Sequence, residues 1–171
     1  MSHRLALILA LAASLALAAP AMALVKTGAN LPDLSLPDLN GGDHAIKALT
    51  KDKVAVLVYW SLSCPLCRKQ MPDFMAMNKR LAGNPFVLIM INGDGPAMRP
   101  AAQAYAAKYA MPDPVLLDTG PDDSMPLGDI LDVIATPTAL VFSPKGVLVH
   151  AQELKVDLPK LNQAVDNALM Q

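Results

Sequence analysis

The chain opens on an unbroken apolar run at positions 5–19 and then breaks into shorter apolar stretches of two distinct periods. Residues 54–60 (VAVLVYW) and 86–91 (FVLIMI) are continuous aliphatic, β-branched and aromatic runs, the pattern of strands buried on both faces. Between them, residues 64–82 place Met71, Phe74, Met75 and Leu81 along one helical stripe, and Gly83 stands where a helix would stop. The spacing further predicts an Ala-rich helix over 100–109, a short apolar piece at 115–117 and a weaker helix over 124–133. Strands follow at 138–142 and 147–153, joined by the turn SPKG at 143–146, and an amphipathic helix over 158–170 closes the chain. Upstream, Pro32 and Pro37 separate short apolar pieces, with an edge strand near 34–36, a Gly41-Gly42 turn and a returning strand at 44–46.

Strands that alternate with helices and then end in a hairpin predict an α/β domain, a sheet covered by helices on both faces. No internal repeat or low-complexity linker interrupts the order, so one domain is expected. The leading apolar run has a separate meaning. A short basic start, the run at 5–19, Pro20 and the Ala21-Met22-Ala23 end fit a secretory signal peptide, residues 1–23, cut after Ala23. The alternative is an uncleaved anchor, but a membrane span needs about 20 apolar residues. No cysteine lies near the cut, which excludes a lipoprotein anchor. The expected product is an exported, periplasmic domain of residues 24–171, long enough for a full hydrophobic core.

Without Arg4 the 14 basic residues become 13, against 15 acidic ones, and no basic block occurs. Nucleic acid and anionic membranes are therefore not expected partners. The chain has two cysteines, Cys64 and Cys67, in the stretch WSLSCPLCRKQMP. A structural disulfide, half of a metal site and a redox pair all share this spacing. A disulfide closing so short a loop constrains the unfolded chain little, and a domain of this length does not depend on it. Tetrahedral zinc needs four ligands, whereas no second cysteine pair exists and His44 and His150 are isolated. No metal and no organic cofactor is expected. The pair follows a buried strand and opens a helix, so Cys64 sits at a helix N-terminus, where free N–H groups and the dipole favour a thiolate. Pro65 suits the first helical position, and Cys67 lies one turn on, within reach of Cys64.

Strand, W-x-x-x-C-P-x-C, helix, and later IATPTALVF followed by SPKG resemble the thioredoxin superfamily. The match is to its exported TlpA/ResA/DsbE-like branch of thiol–disulfide oxidoreductases, with SCPLC similar to a subset linked to methylamine dehydrogenase maturation. The resemblance runs from about Leu31 to Gln171 and includes LPDLSLPDLNG and AYAAKYAMPDPVLLD. It implies a thioredoxin fold with a central mixed sheet and an N-terminal β-hairpin extension. It implies a Cys64–Cys67 redox disulfide, Cys64 attacking and Cys67 resolving, and a cis Thr136-Pro137 step facing it. Client contact is then expected from Thr136, Pro137, Pro65, Leu66 and Trp60. Expected partners are proteins with disulfides, apocytochrome c or metalloenzyme assembly clients among them, and a membrane electron donor; the domain is expected to be monomeric.

Several positions depart from that pattern. Ser63 stands where the branch often has Trp, and Val58 where thioredoxin often buries a carboxylate. The branch often has a glutamate near the site, whereas the chain's one glutamate, Glu153, falls late in the last strand, leaving Asp94, Asp129 or water as candidates to take the Cys67 proton. Two rival readings remain. Cys67, Met71 and Met75 share a helical face and could hold Cu(I), although Phe74 and Leu81 on that stripe point to core packing. Ser61-x-x-Cys64 resembles part of a peroxidase element, but the proline expected four residues earlier is Leu57.

Overall fold

The computed structural model describes residues 27–120, 122 and 124–171; the expected signal peptide at 1–23 lies outside them. Its centre is β3 (Val54–Trp60), with every residue buried, as its unbroken apolar run requires. Strand β4 (Phe86–Asn92) runs parallel beside it, and β6 (Thr138–Phe142) antiparallel on the other side. Strands β5 (Leu116–Leu117) and β7 (Leu148–Glu153) complete the order β5-β4-β3-β6-β7. The sheet is therefore mixed, as expected.

The two-residue period of β3 sends alternate side chains into two cores. Val54, Val56, Val58 and Trp60 pack with Met71, Phe74 and Met77 of α2 (Pro65–Arg80) and with Leu161 and Val165 of α5 (Leu158–Leu169). Ala55, Leu57 and Tyr59 face Ile46, Leu127 and Phe142 on the other side. Each fully buried large apolar side chain contributes about 1.5–3 kcal/mol by its removal from water.

A small antiparallel hairpin, β1 (Ser35–Pro37) with β2 (Asp43–Ala45), covers one end of the second core. Asp38 fixes its turn, accepting the N–H groups of Asn40 (2.7 Å) and Gly42 (2.9 Å) and pairing with His44 Nε2 (2.7 Å). Burial pushes the Asp38 carboxyl up, but these partners, His44 first, outweigh it and leave the pKa lowered.

The returning strand ends earlier than expected, because Ile46 starts a helix, α1 (Ile46–Thr50), and turns its side chain fully into the core. Five residues are too few to display a helical period in sequence. Helix α2 keeps Pro72 inside it at the loss of one backbone hydrogen bond, and it ends near Gly83, whose φ of 88° suits a residue without a Cβ. Helix α3 (Arg99–Lys108) follows a 3₁₀ turn at Pro96–Met98. The weak helix predicted at 124–133 shortens to α4 (Pro126–Ile130), with Asp132 leaving helical geometry at φ 50°.

Candidate active site

Strand β3 delivers the chain to the surface at Ser61, and the turn back into α2 presents Cys64. Cys64 is the N-cap of α2 and Pro65 fills the first helical position, where no N–H is needed. The two cysteines form a disulfide with their Cα atoms 5.3 Å apart. The Cys67 N–H points at the Cys64 sulfur over 3.0 Å, so the same helical turn supplies that sulfur with a donor. Cys64 is 7% exposed and Cys67 1%, so Cys64 is the less buried of the two.

The Cys64 sulfur also lies 3.4 Å from the carbonyl oxygen of Thr136. The Thr136-Pro137 bond is cis, with Thr136 half-buried and Pro137 buried. A second cis step, Asp113-Pro114, has no counterpart in the sequence-based expectations. Glu153 reaches the cis-proline loop: its Oε1 accepts the N–H of Ile134 at 3.2 Å and lies 3.3 Å from Thr138 Oγ1. Position late in β7 hid this, because pairing of Glu153 with Thr138 across the sheet brings it to the cis-proline loop. Leu66, Ile134 and Leu154 are large apolar residues left exposed on the elements that flank the disulfide and this loop.

A second carboxylate holds the turn before Cys64. Asp94 accepts Ser61 Oγ (2.5 Å), the Leu62 N–H (2.7 Å) and Asn92 Nδ2 (2.7 Å). With Ser61 donating to Asp94, the Ser63 hydroxyl 2.8 Å away donates to Ser61. Asp94 is thus engaged with the loop, and its contacts run to Ser61 and Leu62 rather than to Cys67. Arg68 likewise reaches back, donating from Nη1 to the Leu62 carbonyl at 2.7 Å.

The sequence model of the AhpC/TSA family matches residues 27–151. The chain belongs to the AhpC/TSA family. It is similar to the thioredoxin-like protein YneN of Bacillus subtilis, 25% identical over 142 residues, covering 83% of this chain and 80% of that protein. It is also similar to the thiol-disulfide oxidoreductase ResA of Bacillus subtilis, 29% identical over 126 residues, covering 73% of this chain and 66% of that one. Among solved structures, a thiol:disulfide interchange protein of Chlorobium tepidum superposes with a TM-score of 0.69 at 20% identity, covering 84% of this chain and 98% of its own. A secreted Mycobacterium tuberculosis disulfide oxidoreductase does so with 0.66 at 17% identity, covering 79% and 96%. These likenesses show the thioredoxin fold, and the TlpA/ResA/DsbE-like resemblance agrees with them.

Within this AhpC/TSA chain, Pro65 and Leu66 are exposed beside the disulfide. Trp60 is not: it is fully buried and stacks on Tyr105, ring centroids 5.2 Å apart, so it supports the site from beneath instead of touching a client. A side chain at the last position of an all-buried central strand has no route to solvent. Met71 is also fully buried, packed in one core with Phe74, as its stripe predicts for a packing residue. Asp129 is exposed on α4. The described residues contain no group of three or more His, Cys, Asp or Glu placed to hold a metal ion. Among them no helix is long and apolar enough to cross a membrane.

Proposed function

We propose that the protein is a periplasmic thiol–disulfide oxidoreductase that reduces disulfides in client proteins. The observation that carries it is the Cys64 sulfur itself: more exposed than Cys67, at a helix N-terminus, with the Cys67 N–H on one side and the Thr136 carbonyl on the other. The relatives named as thiol-disulfide oxidoreductases support the same chemistry. In the reduced protein the Cys64 thiolate attacks one sulfur of a client disulfide; a Cys64–client bond forms, and the other client sulfur leaves as a thiolate and takes a proton. The Cys67 thiolate then attacks Cys64, closing the Cys64–Cys67 bond and releasing the second client thiolate. Two electrons pass to the client in each cycle, and a membrane donor of the exported thiol pathway restores them. Thr136 and Pro137, with Pro65 and Leu66, form the client-contacting edge.

Leu66 supports the reducing direction. It brings no charge or hydrogen bond to the Cys64 thiolate, and a less stabilised thiolate means a lower potential. Signal-peptide cleavage after Ala23, a monomeric state and clients such as apocytochrome c or a metalloenzyme assembly factor belong to the same proposal. The test is reduction of insulin by dithiothreitol: the wild-type protein accelerates it and Cys64→Ser abolishes the acceleration. Equal turnover by Cys64→Ser would overturn the function.

A further inference from the structure

Residues 118–137 join β5 to β6, hold the short helix α4 and carry the cis Thr136-Pro137 step. Both ends of this segment meet at one tyrosine. Thr138, the residue after Pro137, is the register partner of Tyr59 in the β3–β6 ladder. At the other end, the Tyr59 hydroxyl donates to Asp118 Oδ2 at 3.1 Å. The same carboxylate accepts the N–H of Leu127 at 3.0 Å and of Gly128 at 2.8 Å, tying α4 to the sheet. Tyr59 lies one residue before Trp60, at the end of the strand that leads into Ser61 and Cys64.

Tyr59 and Asp118 are both fully buried. Burial raises the Asp118 pKa against the hydrogen bonds from Leu127, Gly128 and Tyr59, and Asp129 adds to the rise. Burial and Asp118 also raise the Tyr59 pKa, so its hydroxyl stays protonated and remains a donor. A buried carboxylate costs several kcal/mol in desolvation, and a well-packed apolar residue would often serve stability as well or better. What the carboxylate adds is direction, since three donors converge on it from two elements. Gly128 is shaped for this approach: a Cβ there would lie 3.3 Å from Asp118 Oδ2 and 3.2 Å from Met125 Cβ.

We propose that Tyr59 and Asp118 are positioning residues for disulfide exchange, setting the gap between the Cys64 sulfur and the Thr136-Pro137 segment that grips a protein client. The inference rests on the exchange function proposed above. A small thiol needs access to the sulfur alone, whereas a protein client must also bind the segment. Loosening the tether therefore separates the two reactions.

Tyr59→Phe removes one donor and keeps the ring, and Gly128→Ala pushes a methyl towards the carboxylate from the other side. Asp118→Asn sets an amide against two N–H donors and risks misfolding, so the first two variants carry the test. For each, kcat/KM for insulin is measured beside the rate constant for reduction of the Cys64–Cys67 disulfide by dithiothreitol, with hydrogen exchange at Leu127 and Gly128. The expected result is a fall of about tenfold on insulin, a dithiothreitol rate within about twofold of wild type, and faster amide exchange. Unchanged insulin kinetics in both folded variants would overturn the proposal, as would insulin and dithiothreitol rates falling in the same proportion. A wild-type chain inactive on insulin counts against the proposed function instead, a failure visible before any variant is compared.

Discussion

The Cys64 sulfur and the Thr136 carbonyl oxygen meet at 3.4 Å although 72 positions separate them in the chain. On its other side the sulfur receives the Cys67 N–H at 3.0 Å. A donor from the helix and an acceptor from the cis-proline segment thus bracket one atom. The helix side favours a thiolate, and the carbonyl side disfavours excess charge.

Cys64 is also the less buried of the two cysteines, so reduced protein exposed to limiting iodoacetamide is expected to be alkylated at Cys64 well before Cys67. Peptide mapping of the singly modified product checks this. Modification of Cys67 first would reverse the assigned roles.

Cys67 is the one other cysteine in the chain, so no other thiol of the protein can resolve a mixed disulfide at Cys64. Cys67→Ala is expected to leave the attack intact and to accumulate dithiothreitol-sensitive adducts that are absent from the Cys64/Cys67 double variant. Mass spectrometry of the adducts identifies the clients. No adducts under conditions of expression would argue against protein disulfides as substrates and bring Cu(I) binding to the front.

Asp94 joins three donors through one carboxylate, two from the turn after β3 (Ser61 and Leu62) and one from the end of β4 (Asn92). Asp94→Ala leaves these donors without their acceptor, a loss of about 1–3 kcal/mol. Chemical denaturation should register that loss together with slower insulin reduction, because the turn carries Cys64. A variant as stable and active as wild type would show the loop to be fixed by its backbone alone.

Met71 decides between packing and copper binding. Met71→Leu conserves volume in a fully buried site and is expected to change stability by less than about 1.5 kcal/mol, while Met71→Ala costs about 2–5 kcal/mol. Competition of the reduced protein with a Cu(I) chelator should give the same result for wild type and Met71→Leu. Weaker Cu(I) retention by Met71→Leu would make the thioether a ligand.

His150 lies on β7 with its pKa lowered below 6.5, first by burial and then by Lys160. The folded state therefore binds this proton less readily than the unfolded chain, and stability falls as pH drops through 6.5 towards the lower folded value. Melting temperatures of wild type and His150→Gln, compared between about pH 5 and 8, should show the wild type losing ground to the variant on the acid side. A constant difference across that range would remove His150 from the pH response.

Local pattern alone determined the elements with long or strongly biased runs. Residues 54–60 and 138–142 are strands with the limits their apolar runs predict, and the stripe through Met71 and Phe74 is the buried face of α2. The chemistry was legible for the same reason: Cys64, Pro65 and Cys67 are neighbours, and a helix start is encoded within a few residues. The cis Thr136-Pro137 step was legible through family resemblance, since a local sequence does not by itself set a proline isomer. Only the tertiary structure decided the rest. It buried Trp60, brought Glu153 to Ile134 through strand pairing, and joined Tyr59 to Asp118 across 59 positions. A carboxylate's partners depend on which strands become neighbours and in what register, and no short-range period in a sequence encodes that.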